Sequence, residues 1–193
     1  MTTLYLASRS PRRRQLLDQI GVAYEHVEVE VDESWDGAEV PAVHVQRLAL
    51  EKARAGRAKT AGTAPVLAAD TGVVLDGCLL GKAENREDSL HMLLSLSGRS
   101  HEVLTAVALS DGGERVYLSR SRVCFRVLTR AECETYCDSG EPLGKAGGYA
   151  VQGRGAVFIN RLEGSYSGVM GLPLYETSRL LAGLESTNTR ESS

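Results

Sequence analysis

The sequence predicts an α/β protein with a mixed sheet, on three observations: apolar runs of strand length alternate with amphipathic stretches of helical period. One run lacks the polar alternation of a half-exposed strand, and a long hairpin stands at the middle of the chain. Leu4-Tyr5-Leu6-Ala7 is the first strand. It turns at Ser8-Arg9-Ser10 into a helix that Pro11 opens and Gly21 closes after Ile20, with Ser10 as the expected N-cap. Tyr24 to Val31 alternates Val27, Val29 and Val31 with Glu28 and Glu30, as a half-exposed strand does, and a polar loop from Ser34 to Glu39 follows. From Pro41 a helix carries Val45, Leu48, Ala49 and Lys52 on one stripe. Pro65-Val66-Leu67-Ala68-Ala69 reads as a strand covered on both faces, ending at Asp70-Thr71. Asp76-Gly77 is a two-residue hairpin turn between Val73-Val74-Leu75 and Cys78-Leu79-Leu80, which brings Lys82 back towards Asp70.

Asn85 caps a helix carrying Leu90, Leu93 and Leu94, ended by Gly98. Strands from His101 to Leu109 and from Arg115 to Leu128 join at Asp111-Gly112-Gly113, and Thr129 with Glu132 forms a capping box for a short helix ending near Gly140. Between Gly140 and Gly155 six glycines require sharp bends or close approach. A strand from Ala156 to Leu162 and a helix opened by Pro173 complete a single domain over residues 1–184. The polar stretch 185–193 is expected to be a disordered tail.

The chain has 193 residues, enough for one well-packed domain, and a formal charge of −3. That mildly acidic balance argues against a nucleic-acid partner. The N-terminus lacks a signal-peptide pattern and no segment approaches a membrane span, so a cytoplasmic protein with no membrane association is expected. Cys78, Cys124, Cys133 and Cys137 show no zinc or redox pair spacing and read as reduced thiols.

Against this background Arg12-Arg13-Arg14 is a local basic feature at a strand-to-helix turn. Alone it reads more readily as a solvated first turn; with the helix start and two serines it suits a phosphorylated ligand, which arginine forks grip bidentately. Cations at Arg12, Arg13, Lys52 and Lys82 accompany acids at Glu33 and Asp70 and polar loop residues Ser8, Ser10, Thr71 and Gln152. Carboxylates beside a polyphosphate imply an intervening Mg²⁺ or Mn²⁺, or a base that activates water. The chain has no Walker-type phosphate loop, no Gly-x-Gly-x-x-Gly opening a helix after a strand, and no Gly-x-Ser-x-Gly elbow, so the common nucleotide-binding and hydrolase templates do not apply.

Taken in order, Leu-Ala-Ser-x-Ser-Pro-Arg-Arg at 6–13, Asp32-Glu33, Glu-Lys-Ala at 51–53, Ala-Asp-Thr at 69–71 and Gly-Lys at 81–82 resemble the Maf, or septum-formation-inhibitor, family of nucleoside triphosphate pyrophosphatases. So do Leu-Ser-Gly at 96–98, Lys-Ala-Gly-x-Tyr with Gln-Gly at 145–153, and Gly-Leu-Pro-Leu at 171–174. The resemblance implies an inosine-triphosphatase-like (Maf/Ham1) fold, an elongated mixed sheet flanked by helices with a cleft between two lobes, and a homodimer. It implies hydrolysis of the α–β phosphoanhydride to a nucleoside monophosphate and pyrophosphate with a divalent cation. Asp70 would be the proton acceptor, Glu33 would assist the metal or water, and both would ligate the metal. Ser8, Ser10, Arg12, Lys52 and Lys82 would hold the triphosphate.

Arg13, Thr71 and Gln152 resemble the specificity markers of the subgroup acting on dTTP and UTP, with modified pyrimidine nucleotides as further substrates of a house-cleaning enzyme. The alternatives are the 7-methyl-GTP subgroup and a non-catalytic nucleotide-binding regulator of cell division. Ala83, Gly144 and Arg9 depart from the family pattern, which usually has Pro, often Asp, and a small residue there. Loss of the Pro would loosen the approach of Lys82.

Overall fold

The computed structural model describes residues 3–60 and 64–188. Its seven-stranded sheet has the order β2-β1-β3-β5-β6-β7, with β4 paired to β3. The strands are β1 (Leu4–Ala7), β2 (Tyr24–His26), β3 (Val66–Leu75), β4 (Cys78–Leu80), β5 (Ser100–Ser110), β6 (Glu114–Phe125) and β7 (Ile159–Glu163). The helices are α1 (Pro11–Gln19), α2 (Pro41–Lys59), α3 (Arg86–Leu96), α4 (Arg130–Asp138), α5 (Tyr166–Met170) and α6 (Leu174–Asn188). β1 runs parallel to β2 and β3, and all other pairs are antiparallel. Residues 189–193 of the expected tail lie outside the described residues.

Period-two alternation along β3 and β5 divides the core between two faces. Ala68, Val74, Leu104, Ala106 and Ala108 meet Val45, Ala49 and Ala53 of α2 on one face. On the other face Leu67, Ala69, Val107 and Leu109 pack under α1 and α6. Further along that face, Val73, Leu75, Val103, Val123 and Phe125 pack under α3 and α4. Each fully buried leucine or valine contributes about 1.5–3 kcal/mol relative to exposure. A cleft opens beside β3, lined by the start of α1, Lys52 of α2, the end of α5 and the segments 144–146 and 149–152.

β3 is one continuous ten-residue strand, so Asp70 lies at mid-strand and not at a strand end as the sequence suggested. The strand nevertheless has a gap beside it. β1 pairs with Val66 to Ala68 and β4 with Val73 to Leu75, leaving Ala69, Asp70, Thr71 and Gly72 without a ladder partner on that edge. The β3–β4 turn follows expectation, with Asp76 at φ 51° and Gly77 at φ 81°. Strand β2 is shorter than the 24–31 alternation implied. Val27 still donates to the Leu6 carbonyl, but β1 ends at Ala7, so the later residues have no ladder to join. Residues Arg154–Phe158 form a 3-10 helix ahead of β7 where a strand was expected, and β6 stops at Phe125.

Asn85 caps α3 through Asp88 N–H at 2.8 Å, and the Thr129–Glu132 capping box is present. Ser10 does occupy the N-cap of α1, but its side chain caps nothing. Its own N–H donates to Ser8 Oγ at 3.1 Å.

Candidate active site

All ten residues singled out from the sequence, Ser8, Ser10, Arg12, Arg13, Glu33, Lys52, Asp70, Thr71, Lys82 and Gln152, line one cleft of about 310 Å³. Their convergence follows from the unpaired edge of β3. Neighbouring residues of a strand point to opposite faces, so Asp70 turns towards α2 and Thr71 towards α1 and α5. Both reach the cleft because no strand covers that stretch.

On the Asp70 side a chain of charges crosses the cleft. Lys52, carried on the apolar stripe of α2 and 8% exposed, places Nζ 2.6 Å from Asp70 Oδ1 and 2.7 Å from Glu33 Oε1. Lys82, just past β4, bonds Glu33 Oε2. Burial would raise the Glu33 pKa, but the hydrogen bonds from Lys52 and Lys82 outweigh it and hold the carboxyl at about 2. Glu33 is therefore a carboxylate at any physiological pH. Asp70 Oδ2 carries no hydrogen bond among the described residues.

On the Thr71 side the hydrogen bonds come from Arg13. Its Nε donates to the Gly171 carbonyl at 2.7 Å, Nη1 to Ser8 Oγ at 3.3 Å and Nη2 to Thr71 Oγ1 at 3.3 Å. Burial draws its pKa below the usual arginine value, with Asp70 opposing and Arg12 adding to the effect. The Gly171 carbonyl is presented by a left-handed turn, φ 120°, at the end of α5. Ser8 Oγ already accepts from Ser10 N–H and Arg13, so its hydroxyl hydrogen remains for a ligand oxygen. Arg12 Nε reaches the Met170 carbonyl at 3.4 Å. Gln152 is exposed and, among the described residues, its amide is unbonded.

Sequence reasoning missed Lys145, which lines the same cleft. Its Nζ donates to the Glu141 carbonyl. Burial lowers its pKa and the nearby charge of Arg12 lowers it further. The available signal was a lysine inside the glycine-rich stretch. The segments carrying Lys82 and Lys145 are tied together: Ala83 N–H donates to the Lys145 carbonyl at 3.2 Å, Gly144 N–H to the Ala83 carbonyl at 2.8 Å, and Gly147 N–H to the Gly81 carbonyl at 3.2 Å. A proline at position 83 has no N–H for the first of these bonds, so the alanine adds a tether beside Lys82 that a proline would lack. Arg14 lies outside the cleft lining. Cys133 and Cys137 are on the buried face of α4, and among the described residues no group of three or more His, Cys, Asp or Glu side chains is placed to hold a metal ion.

The chain is 57% identical over 187 residues to a dTTP/UTP pyrophosphatase of Alkalilimnicola ehrlichii, a match covering 94% of this chain and 93% of that protein. It is 50% identical over 192 residues to one of Burkholderia lata, covering 93% and 91%, and 47% identical over 186 residues to one of Chromobacterium violaceum, covering 94% of each. Among solved structures, the Ham1 protein of Staphylococcus aureus gives a TM-score of 0.45 at 17% identity over 64% of this chain and 71% of that one. A dITP/XTP pyrophosphatase of Mycobacterium abscessus gives 0.40 at 23% identity over 64% and 74%. A family model described as Maf-like protein matches residues 3–184, and with relatives this similar along nearly its whole length the chain belongs to the Maf family.

Proposed function

We propose that this protein is a nucleoside triphosphate pyrophosphatase that cleaves the α–β phosphoanhydride of dTTP and UTP. The observation that carries the reading is the joining of Asp70, Lys52, Glu33 and Lys82 into one charge chain along a cleft whose other wall presents Ser8, Arg12 and Arg13. Relatives 47–57% identical over most of the chain are named dTTP/UTP pyrophosphatase, which supports the same reading.

Water attacks the α-phosphorus, the bond from that phosphorus to the bridging oxygen breaks, and pyrophosphate leaves. Asp70 Oδ2 accepts the water proton, with Lys52 holding the other carboxylate oxygen in place. The Ser8 hydroxyl and the Arg12 guanidinium bind phosphate oxygens, and Lys52 and Lys82 exchange Glu33 for phosphate as the substrate arrives, Lys52 keeping its bond to Asp70. Ser10 contributes at the α1 N-terminus. Glu33 and Asp70 fit a divalent cation, Mg²⁺ or Mn²⁺. They are hard oxygen donors linked through a single ammonium, and such ions bind through one or two carboxylates together with substrate phosphates. When bound, the ion would supply Lewis-acid stabilisation of the phosphate charge. Arg13, Thr71 and Gln152 select the base, and the Gln152 amide carries both a donor and an acceptor. The reading includes a homodimer in the cytoplasm.

Pyrophosphate release from dTTP, UTP and 7-methyl-GTP with added Mg²⁺ or Mn²⁺ tests the assignment. Turnover of dTTP and UTP is expected. Tight binding without turnover would favour a nucleotide-binding regulator, and preference for 7-methyl-GTP would move the chain to the purine-directed subgroup. Asp70→Asn is expected to lower kcat about 10²-fold or more, as loss of a general base does; near-normal turnover would reassign the proton to another group.

A further inference from the structure

Thr105 is 1% exposed and lies outside the cleft lining, yet it is bonded to Thr71, which lines it. It stands directly opposite Thr71 in the β3–β5 ladder, on the same sheet face. Its Oγ1 is 2.8 Å from the Gly168 carbonyl and 3.0 Å from Thr71 Oγ1. A carbonyl oxygen only accepts and a hydroxyl has one hydrogen, so the Thr105 hydrogen goes to Gly168. The hydrogen between the two threonines must then come from Thr71. One Thr71 lone pair meanwhile accepts from Arg13 Nη2 at 3.3 Å. What Thr71 has left for the cleft is a single lone pair. Beside it Arg13, with three of its five N–H groups engaged, keeps two donors. A donor and an acceptor thus stand side by side with their sense fixed by bonds inside the protein.

We infer that Thr105 is a positioning residue for base selection, locking Thr71 as an acceptor so that Arg13 and Thr71 together recognise a pyrimidine imide. The ring N3–H donates to Thr71 Oγ1, and the adjacent ring carbonyl accepts from Arg13. Cytosine presents a lone pair at N3, so acceptor meets acceptor and the base is rejected. Sites built to hydrogen-bond a substrate group discriminate strongly against analogues that leave their polar groups unpaired. The inference rests on the pyrimidine triphosphate reading and adds a rule for choosing among pyrimidines.

The test compares kcat/KM for UTP, dTTP and CTP in the native protein, Thr105→Val and Thr105→Ser. Valine keeps the shape and removes the hydroxyl, and the Gly168 carbonyl stays satisfied by Gly171 N–H at 2.9 Å. Freed from its partner, the Thr71 hydroxyl can turn and donate into the cleft. The native protein is expected to favour UTP over CTP about 100-fold. In Thr105→Val that ratio should fall roughly tenfold, with CTP rising while UTP and dTTP fall together, and Thr105→Ser should restore the native ratio. A merely structural role would lower all three nucleotides in parallel, and an unchanged ratio in a folded Thr105→Val protein would overturn the inference. If the valine variant does not fold, the native protein decides the matter with 3-methyl-UTP, which lacks the imide hydrogen. A loss of about 100-fold against UTP supports the inference, and equal turnover refutes it, as does native turnover of CTP equal to UTP. Absence of pyrophosphate release from native protein with either UTP or dTTP would instead be a failure of the underlying function.

Discussion

Burial lowers the pKa of both Lys145 and Arg12, the charge of Arg12 lowers that of Lys145 further, and among the described residues neither has a carboxylate within ion-pair distance. Lys52 and Lys82, by contrast, are already neutralised by Asp70 and Glu33. An incoming triphosphate therefore meets positive charge without an ion-pair partner at Arg12 and Lys145. Lys145→Gln is expected to raise KM for UTP by about tenfold with kcat changed less than twofold, the pattern of lost ground-state binding worth about 1.4 kcal/mol. Steady-state kinetics at two ionic strengths would check this, since the difference between variant and native should shrink in high salt. Equal falls in kcat and kcat/KM would show a role in the chemical step instead. At this scale the sequence disclosed residue types well: Asp70 after an apolar run and Lys52 on a buried stripe were visible because their positions break local pattern. The bonds of Arg13 to Gly171, across 158 positions, and of Thr71 to Thr105, across 34, leave no local trace.

The elements that build the cleft are a strand that outruns its neighbours and a strap that closes over it. β3 was read as two shorter runs because Asp70-Thr71-Gly72 interrupts its apolar pattern, and the interruption is the functional edge itself. The 27–31 and 156–158 segments have strand-like sequence but no ladder to pair with, so alternation alone overstated them. The helix α5 went unread because five residues are too few for a periodic signal. The strap from Gly144 to Gly148 was visible only as glycine enrichment, and its reason is steric. Gly147 sits at φ 68°, and a Cβ there would come within 2.9 Å of Val73 Cγ1. Gly147→Ala is expected to cost roughly 2 kcal/mol, combining left-handed strain with overpacking against β3. Because Lys145 and Gln152 flank this glycine, kcat/KM should fall along with thermal stability. A melting temperature within 1 °C of native, set against an expected drop of about 4–8 °C, would show that the strap yields without strain.

Across the whole molecule the strap is fastened to the sheet by His101 and Tyr149. His101 on β5 is 3% exposed, its Nε2 lies 2.8 Å from the Tyr149 hydroxyl, and Phe125 and Tyr149 meet its ring edge-on at centroid distances of 5.1 and 5.4 Å. Its Nδ1 is buried without a partner among the described residues. Burial holds the His101 pKa at about 4, below the ordinary 6.5. Above pH 6.5 folded and unfolded chains both carry neutral imidazole there. Between pH 6.5 and 4 the unfolded chain takes up a proton that the folded chain refuses, so stability declines as the pH falls, by on the order of 3 kcal/mol over the window. Glu33 acts lower: its pKa of about 2 against an ordinary 4.5 means its contribution is complete above pH 4.5 and is lost as pH falls towards 2. The two windows barely overlap, so they can be separated by titration. His101→Gln retains a polar group for Tyr149 but cannot ionise. Between pH 7 and 4.5 the native melting temperature should drop about 5–10 °C more than that of the variant. Below pH 4 the two curves should run parallel, since Glu33 is common to both. Parallel curves over the whole range would mean that His101 is protonated in the folded protein, and that the Tyr149 contact does not require a neutral ring.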